Sequence, residues 1–292
     1  MDCPTCRIPM SQRRYEGPIR LARPGSLTPG SHAVEGCARC GIAGLDLAPL
    51  DYTQDEYRRA VDGEAGVESF AQIHDWEQAS LLAAIGTAGL AGRVVADVGC
   101  GGGRLLDLLS GFTRAPTVAV EPTAAFHAEL ARKGHRVHAS AREAAREWGA
   151  KAGLVQSFDV IEHVDDPVAF AREMALLAAA DGRIVIGTPN LDQILMKLLP
   201  VEFARFFYRR VHRWYFTPGA LQACLEAAGL REVRVRSLQR YDFSNLALWL
   251  RDRRPTGLGA VELPPVLTTS LAGALESVGM GEYLVATALP PL

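Results

Sequence analysis

Lysine is nearly missing from this chain of 292 residues: Lys133, Lys151 and Lys197 are the only three, and the rest of its 31 basic residues are arginine. With 33 acidic residues the formal net charge is −2, a poor electrostatic footprint for a nucleic-acid binder. No apolar run is long enough to span a bilayer. The opening Met-Asp-Cys-Pro-Thr-Cys lacks the basic and apolar regions of a secretory signal. Internal repeats and low-complexity tracts are absent as well. These absences lead us to expect a soluble cytoplasmic protein without a membrane or nucleic-acid partner. The length admits one large domain or two modest ones.

What is present is organised around Val94 to Leu106. The stretch reads as a buried strand (94–98), a glycine turn (99–103) and a helix start at Arg104. Glycines permit positive φ and close backbone approach to a ligand, and the helix N-terminus adds unpaired N–H groups. In doubly wound sheets such a turn is a cofactor site. The dinucleotide fingerprint needs a glycine at the sixth position of the turn. Arg104 stands there, so a nicotinamide or flavin enzyme is the disfavoured rival. A turn without any ligand is the bland alternative. Asp97 lies two residues before the first glycine, and Glu121 ends the next strand, 117–120.

Asp97, Gly99, Gly101, Gly103 and Glu121 together resemble the class I S-adenosylmethionine (SAM)-dependent methyltransferases. The resemblance implies an α/β fold: a Rossmann-like seven-stranded sheet with helices on both faces. It also implies that Asp97, Gly99, Cys100 and Gly101 pass the methionine part of SAM. Glu121 then holds the ribose hydroxyls, for which a carboxylate with two acceptor oxygens is suited. Ser140 and Ala141, after the third strand, and Ser157, on the fourth, complete the expected cofactor contacts.

The amino-terminal 1–62 reads as a separate module. Cys3, Cys6, Cys37 and Cys40 form two Cys-x-x-Cys pairs, which supply four thiolates to a tetrahedral zinc. The segment between them is too poor in apolar residues to fold without a staple. Two disulfides or free thiols are the alternatives, and a cytosolic setting argues against the first. Four thiolates leave no open position, so the zinc is expected to be structural. Cys100 and Cys224 read as packed small hydrophobes. A helix is expected over 67–84, and Tyr57, Phe70, His74 and Trp76 are candidates for the cofactor mouth or for interdomain packing.

Residues 63–292 form the expected catalytic domain. Its fourth strand continues into Asp159-Val-Ile-Glu162-His163-Val-Asp-Asp-Pro167. This motif resembles the branch that includes the ubiquinone-biosynthesis O-methyltransferases, in which the strand's end lies beside the methyl group. Three readings stand. His163 is a general base, since imidazole titrates near neutrality. Asp159, Glu162 and His163 hold Mg²⁺, as some members of that branch do. Or Glu162 and His163 only pack beside a helix over 168–180 that Asp165, Asp166 and Pro167 start and Asp181-Gly182 ends. Past a strand over 183–187, an insertion at 191–216 interleaves aromatics with arginines. In the resembled family such insertions cover the substrate. Arg205, Arg209, Arg210 and Arg213 suit a phosphate or carboxylate. Tyr208, Trp214 and Tyr215 are candidate pocket walls, and His212 is a second candidate base. The bland alternative is a solvated basic face over an aromatic packing stripe. A helix at 218–228 and strands at 232–235 and 283–288 close the expected sheet.

The reading is therefore a SAM-dependent methyltransferase acting on a small polar metabolite, such as a sugar nucleotide or natural-product intermediate, with a phosphate-bearing acceptor among the candidates. The alternatives are a zinc-finger rRNA guanine N-methyltransferase, disfavoured by the weak basic footprint, and a non-catalytic zinc-ribbon binding protein.

Overall fold

A computed structural model describes residues 1–21, 26–47, 75–255 and 264–292, with residues 75–79 described by backbone only. Tyr57, Phe70 and His74 fall outside the described residues, as does the Trp76 side chain. The chain begins with β1 (Gln12–Gly17), β2 (His32–Gly36) and β3 (Ala43–Leu45). Then α1 (Asp75–Ile85) leads into an alternating series of β4 (Val94–Val98), α2 (Arg104–Thr113), β5 (Thr117–Val120), α3 (His127–Arg132) and β6 (Arg136–His138). The alternation continues through α4 (Ala141–Trp148), β7 (Ala152–Phe158), α5 (Pro167–Ala175) and β8 (Ala178–Pro189). The last third holds α6 (Ile194–Leu198), α7 (Glu202–Phe207), β9 (Trp214–Tyr215), α8 (Pro218–Ala227), β10 (Arg231–Leu238), α9 (Phe243–Asp252), α10 (Pro265–Ser277) and β11 (Tyr283–Leu289).

Seven strands form one sheet in the order β10-β11-β8-β7-β4-β5-β6. Strands β4 to β8 pair in parallel, and β10 and β11 close the sheet antiparallel. This is the Rossmann-like methyltransferase sheet that the resemblance implied. From β4 the chain steps outward to β5 and β6, then returns to β7 on β4's other side. The sheet's switch point thus lies between β4 and β7, where α/β sheets open a ligand crevice at the strands' carboxyl ends.

Period-two alternation in the strands sends successive side chains to opposite faces. Ala96 and Val98 of β4 join a core with α4, α5 and α8 through Ala144, Ala171, Met174 and Leu221. Val95 joins the opposite core, with Leu81 and Ile85 of α1 and Leu105, Leu106 and Leu109 of α2. Helices therefore cover both faces, as a parallel sheet requires. The expected helix over 168–180 is a shorter α5, and Asp181-Gly182 lies inside β8 rather than ending a helix. Alanines carry no face information, and at Ala178 the pairing with Ala152 overrides their helix propensity.

A second sheet, β1-β2-β3-β9, is antiparallel. Three of its strands come from the amino-terminal region, and the fourth comes from the insertion after β8. Trp214 of β9 pairs with Gly44, and a Cβ at Gly44 would strike the Trp214 ring. The indole N–H donates to the Val164 carbonyl at 2.8 Å, so one side chain joins the small sheet to the loop after β7. Among the described residues no helix is long and apolar enough to cross a membrane.

Trp214 is only 2% exposed at this seam, and Trp214→Ala should cost about 3–5 kcal/mol of stability. Denaturant titration checks this; a loss below about 1 kcal/mol would show that the seam does not depend on the ring.

Candidate active site

Two loops meet at the switch point. The first is the glycine turn after β4, with Gly99, Gly101 and Gly103 all at positive φ (79°, 53° and 75°). A Cβ at Gly99 would collide with Val160, and one at Gly103 with Leu130, whereas one at Gly101 meets nothing within 4 Å among the described residues. Gly99 and Gly103 are therefore packing glycines, and Gly101 faces open space. The Glu121 carboxylate, 6% exposed, accepts the N–H groups of Gly101 (2.9 Å) and Thr123 (2.8 Å). Asp97 is fully buried and accepts from Gln156 Nε2 at 3.1 Å. Burial first, with Glu121's charge adding to it, pushes Asp97 up to about 7 despite that hydrogen bond. Open space over Gly101, bounded by buried carboxylates at the ends of β4 and β5, fits a ligand with vicinal hydroxyls and a cationic amino group. SAM carries both.

The other expected cofactor residues have local duties. Ser157 Oγ donates to the Val98 carbonyl at 2.7 Å and ties β7 to β4. Ser140 caps α4, its hydroxyl accepting from Glu143 N–H, and Ala141 is buried in α4's first turn. Burial holds the Cys100 thiol well above its ordinary value.

The second loop follows β7. It opens with Asp159 at φ 55°, a left-handed conformation that Asp tolerates better than most residues. Val160 packs on the glycine turn. Glu162 and His163 come next, 1% and 7% exposed. The Glu162 carbonyl accepts two N–H groups, from Arg213 (2.8 Å) and Trp214 (2.9 Å). His163 Nδ1 lies 2.8 Å from the Val211 carbonyl. A carbonyl only accepts, so Nδ1 carries the proton and the neutral ring presents its lone pair at Nε2. That Nε2 lies 3.9 Å from Glu162 Oε1. Thr188 Oγ1 donates to Glu162 Oε2 at 2.9 Å, while the buried Oε1 has no hydrogen-bond partner among the described residues. The His212 ring stacks edge-on against His163, centroids 4.7 Å apart. Arg209 Nη1 lies 3.5 Å from His212 Nε2.

Burial inverts the usual order of basicity here. It pushes Glu162 up to about 8, with Asp159's charge contributing. It pushes His163 down to about 4, despite the Val211 carbonyl, and holds His212 well below its ordinary value. Ligand atoms of Glu162, His163 and His212 lie within 4.8 Å of one another; Asp159 is outside this group. One carboxylate and two imidazoles form a donor set that could hold a metal ion, and imidazole suits a transition metal better than Mg²⁺, which prefers oxygen ligands.

The insertion's aromatics pack rather than face open space. Tyr208 and Tyr215 are 1% and 2% exposed, and their rings meet edge-on at 4.8 Å. The Tyr215 hydroxyl accepts the Arg209 N–H at 2.9 Å. Arg213 lies 3.6 Å from Asp165 and 5.6 Å from the Trp214 ring. Sequence reasoning missed the role of Thr188, which lies near the carboxyl end of β8, the end at which α/β sheets bind ligands. It also missed Arg20, from the Pro- and Gly-rich segment between the cysteine pairs, where no motif marks it.

At the amino terminus the four cysteine sulfurs lie within 4.8 Å of one another. Two matching turns present them. Cys3 N–H donates to the Ile8 carbonyl and Arg7 N–H to the Cys3 carbonyl; Cys37 N–H donates to Ile42 and Gly41 N–H to Cys37. Arg7 (φ 57°) and Gly41 (φ 80°) occupy equivalent left-handed positions. The Cys3–Cys40 separation of 3.5 Å is far beyond a disulfide. It is close to the ~3.8 Å that Zn–S bonds of ~2.3 Å imply in a tetrahedron, so the donor set fits a tetrahedral metal.

A family model described as a methyltransferase domain matches residues 72–235. The ubiquinone biosynthesis O-methyltransferase of a Ruegeria species is 31% identical over 156 residues, 50% of this chain and 63% of that protein, so the match spans just under two thirds of the relative. The protein of the same name from Cupriavidus pinatubonensis is 28% identical over 195 residues, 63% of this chain and 78% of the relative. Among solved structures, a SAM-dependent methyltransferase from Thermotoga maritima superposes with a TM-score of 0.53 at 20% identity, covering 76% of this chain and 93% of that one. The SAM complex of phosphoethanolamine N-methyltransferase 2 from Haemonchus contortus gives 0.52 at 13% identity, covering 83% of this chain and 60% of that one. At these identities the structures share the fold.

Two substitutions test the glycine-turn site. Glu121→Ala should weaken SAM about 10- to 100-fold, the worth of a charged hydrogen-bonding partner. Gly101→Val places a side chain in the open space and should also abolish tight binding, at about 1–2 kcal/mol of left-handed strain. Calorimetric titration with SAM checks both; wild-type affinity in either variant would move the cofactor away from this turn.

Proposed function

The chain belongs to the SAM-dependent methyltransferases by its methyltransferase domain, and on that premise we propose that it methylates a small polar acceptor whose proton is taken by the Glu162–His163 pair. The observation that carries this reading is the partnerless Glu162 Oε1, 3.9 Å from His163 Nε2. A hydroxyl or amine about 2.8 Å from each atom would bond to both.

When bound, SAM supplies a methyl carbon on a sulfonium, open to in-line displacement. The chain's residues must align the acceptor and remove its proton as the new bond forms. Val160 bridges the two loops by packing on Gly99, which fixes the pair's position relative to the glycine turn. Val211's carbonyl holds the His163 tautomer. Thr188 neutralises part of the charge on Glu162 when it ionises. Between the two titrations Glu162 is protonated beside a neutral His163 that keeps its Nδ1–H; above the higher one Glu162 is ionised and accepts the proton from the acceptor.

We further propose that Cys3, Cys6, Cys37 and Cys40 bind a structural zinc. Cys3 and Cys37 are buried in the same core as Trp214 and Phe216, so the metal's fold-stabilising effect reaches the insertion. The small-metabolite acceptor remains the favoured class because a net charge of −2 is a poor electrostatic footprint for a nucleic-acid binder.

The raised Glu162 titration sets the pH dependence. The proton-accepting form exists only above it, so kcat/KM should rise with pH through about 8. The rise should vanish in Glu162→Gln, and His163→Ala should lower kcat by about 10²–10⁴ while SAM affinity stays within about threefold. A wild-type profile flat over about pH 6–9 would remove the pair as the base. Cys37→Ser should lose bound zinc and a sizeable share of stability; native mass spectrometry with thermal unfolding checks this, and a metal-free wild type of unchanged melting temperature would refute the site.

A further inference from the structure

Arg20 is a buried basic residue of the amino-terminal region. It is only 9% exposed, and its guanidinium lies over the Phe206 ring at 4.1 Å. Its Nε is buried with no hydrogen-bond partner. Among the described residues it makes no ion pair. Its backbone is fully used: Arg20 N–H donates to the Tyr208 carbonyl, and Arg210 N–H donates to the Arg20 carbonyl, both near 2.8–2.9 Å. This clamps it in a parallel bridge beside Arg209. Burial first, and Arg209's charge second, press its ionisation below the ordinary arginine value. A buried cation without a counter-charge beside a second cation is strongly unfavourable.

We infer that Arg20, with Arg209, binds an anionic group, a phosphate or a carboxylate, of the molecule that is methylated. The guanidinium fork suits both groups through paired N–H donors. The location fits: Arg209 reaches His212, and His212 stacks on His163, so the anion is held one layer of side chains from the proton-accepting pair. The amino-terminal module thereby supplies a recognition residue to the catalytic domain. Naming the ligand as the acceptor rests on the methyl-transfer reading; the anion site itself does not.

The test is thermal unfolding and phosphorus-31 titration of the full chain with inorganic phosphate, with acetate at matched ionic strength as the second arm. Saturating phosphate should raise the wild-type melting temperature by several degrees. A larger rise with acetate assigns the group as a carboxylate. In Arg20→Met the melting temperature without anion should be unchanged or higher, and the anion-induced rise should disappear. Arg20→Lys, which keeps the charge but loses the fork, should bind about tenfold more weakly and serves if the methionine variant does not fold. No rise with either anion, or an equal rise in the variants, overturns the site. SAM is titrated into the same samples. SAM binding without an Arg20-dependent anion effect leaves the methyl-transfer reading standing and removes the anion site. An Arg20-dependent effect without SAM binding does the reverse.

Discussion

The carbonyl oxygen of Glu162 accepts the N–H groups of Arg213 and Trp214, and most of the site's geometry depends on that three-centre contact. It fastens the loop after β7 to the insertion after β8, two segments fifty residues apart. From it follow the His163–Val211 hydrogen bond, the His163–His212 stack and the Trp214–Val164 bond. Beyond it the loop is fixed by Thr188 on Glu162 Oε2 and by Asp166, whose side chain accepts from Val168 and Ala169.

The same closure explains the acid–base chemistry. Water excluded from the Glu162–His163–His212 group cannot solvate a carboxylate or an imidazolium, so each group is driven toward its neutral form. The carboxyl rises and the imidazoles fall until the carboxylate is the stronger base. Asp97 feels the same force at the end of β4. Glu121, at the end of β5, accepts two backbone N–H groups on its oxygens.

The small sheet and the catalytic domain share a strand. Once β9 has entered the amino-terminal sheet, the module can no longer be a bead on a linker. Leu45 N–H donates to the carbonyl of Arg213, the residue whose own N–H binds Glu162, and Ile19, Leu45, Phe203, Tyr208 and Tyr215 form one core. The arginine-and-aromatic run of the insertion is divided by this seam. The rings are consumed as packing, while the Arg209 guanidinium lies beside His212 and that of Arg20 over Phe206.

By itself the sequence determined what local backbone rules and strand periodicity can determine. It placed the strand–glycine turn–helix at 94–106, the carboxylate after the next strand, the alternating α/β order and the paired cysteine knuckles, since each depends on residues a few positions apart. It failed at Ala178–Ala180 and Asp181-Gly182, where a partner strand rather than propensity decides. It recognised Glu162, His163 and His212 as candidates but left their relative basicity open, because basicity here is set by burial that distant segments impose. Only the tertiary structure separated the packing glycines, Gly99 and Gly103, from Gly101. It alone turned Tyr208, Trp214 and Tyr215 from pocket candidates into a seam, and it alone brought Arg20 beside Arg209. Each of these outcomes is a contact between segments far apart in the chain, and no local pattern of residue types encodes such a contact.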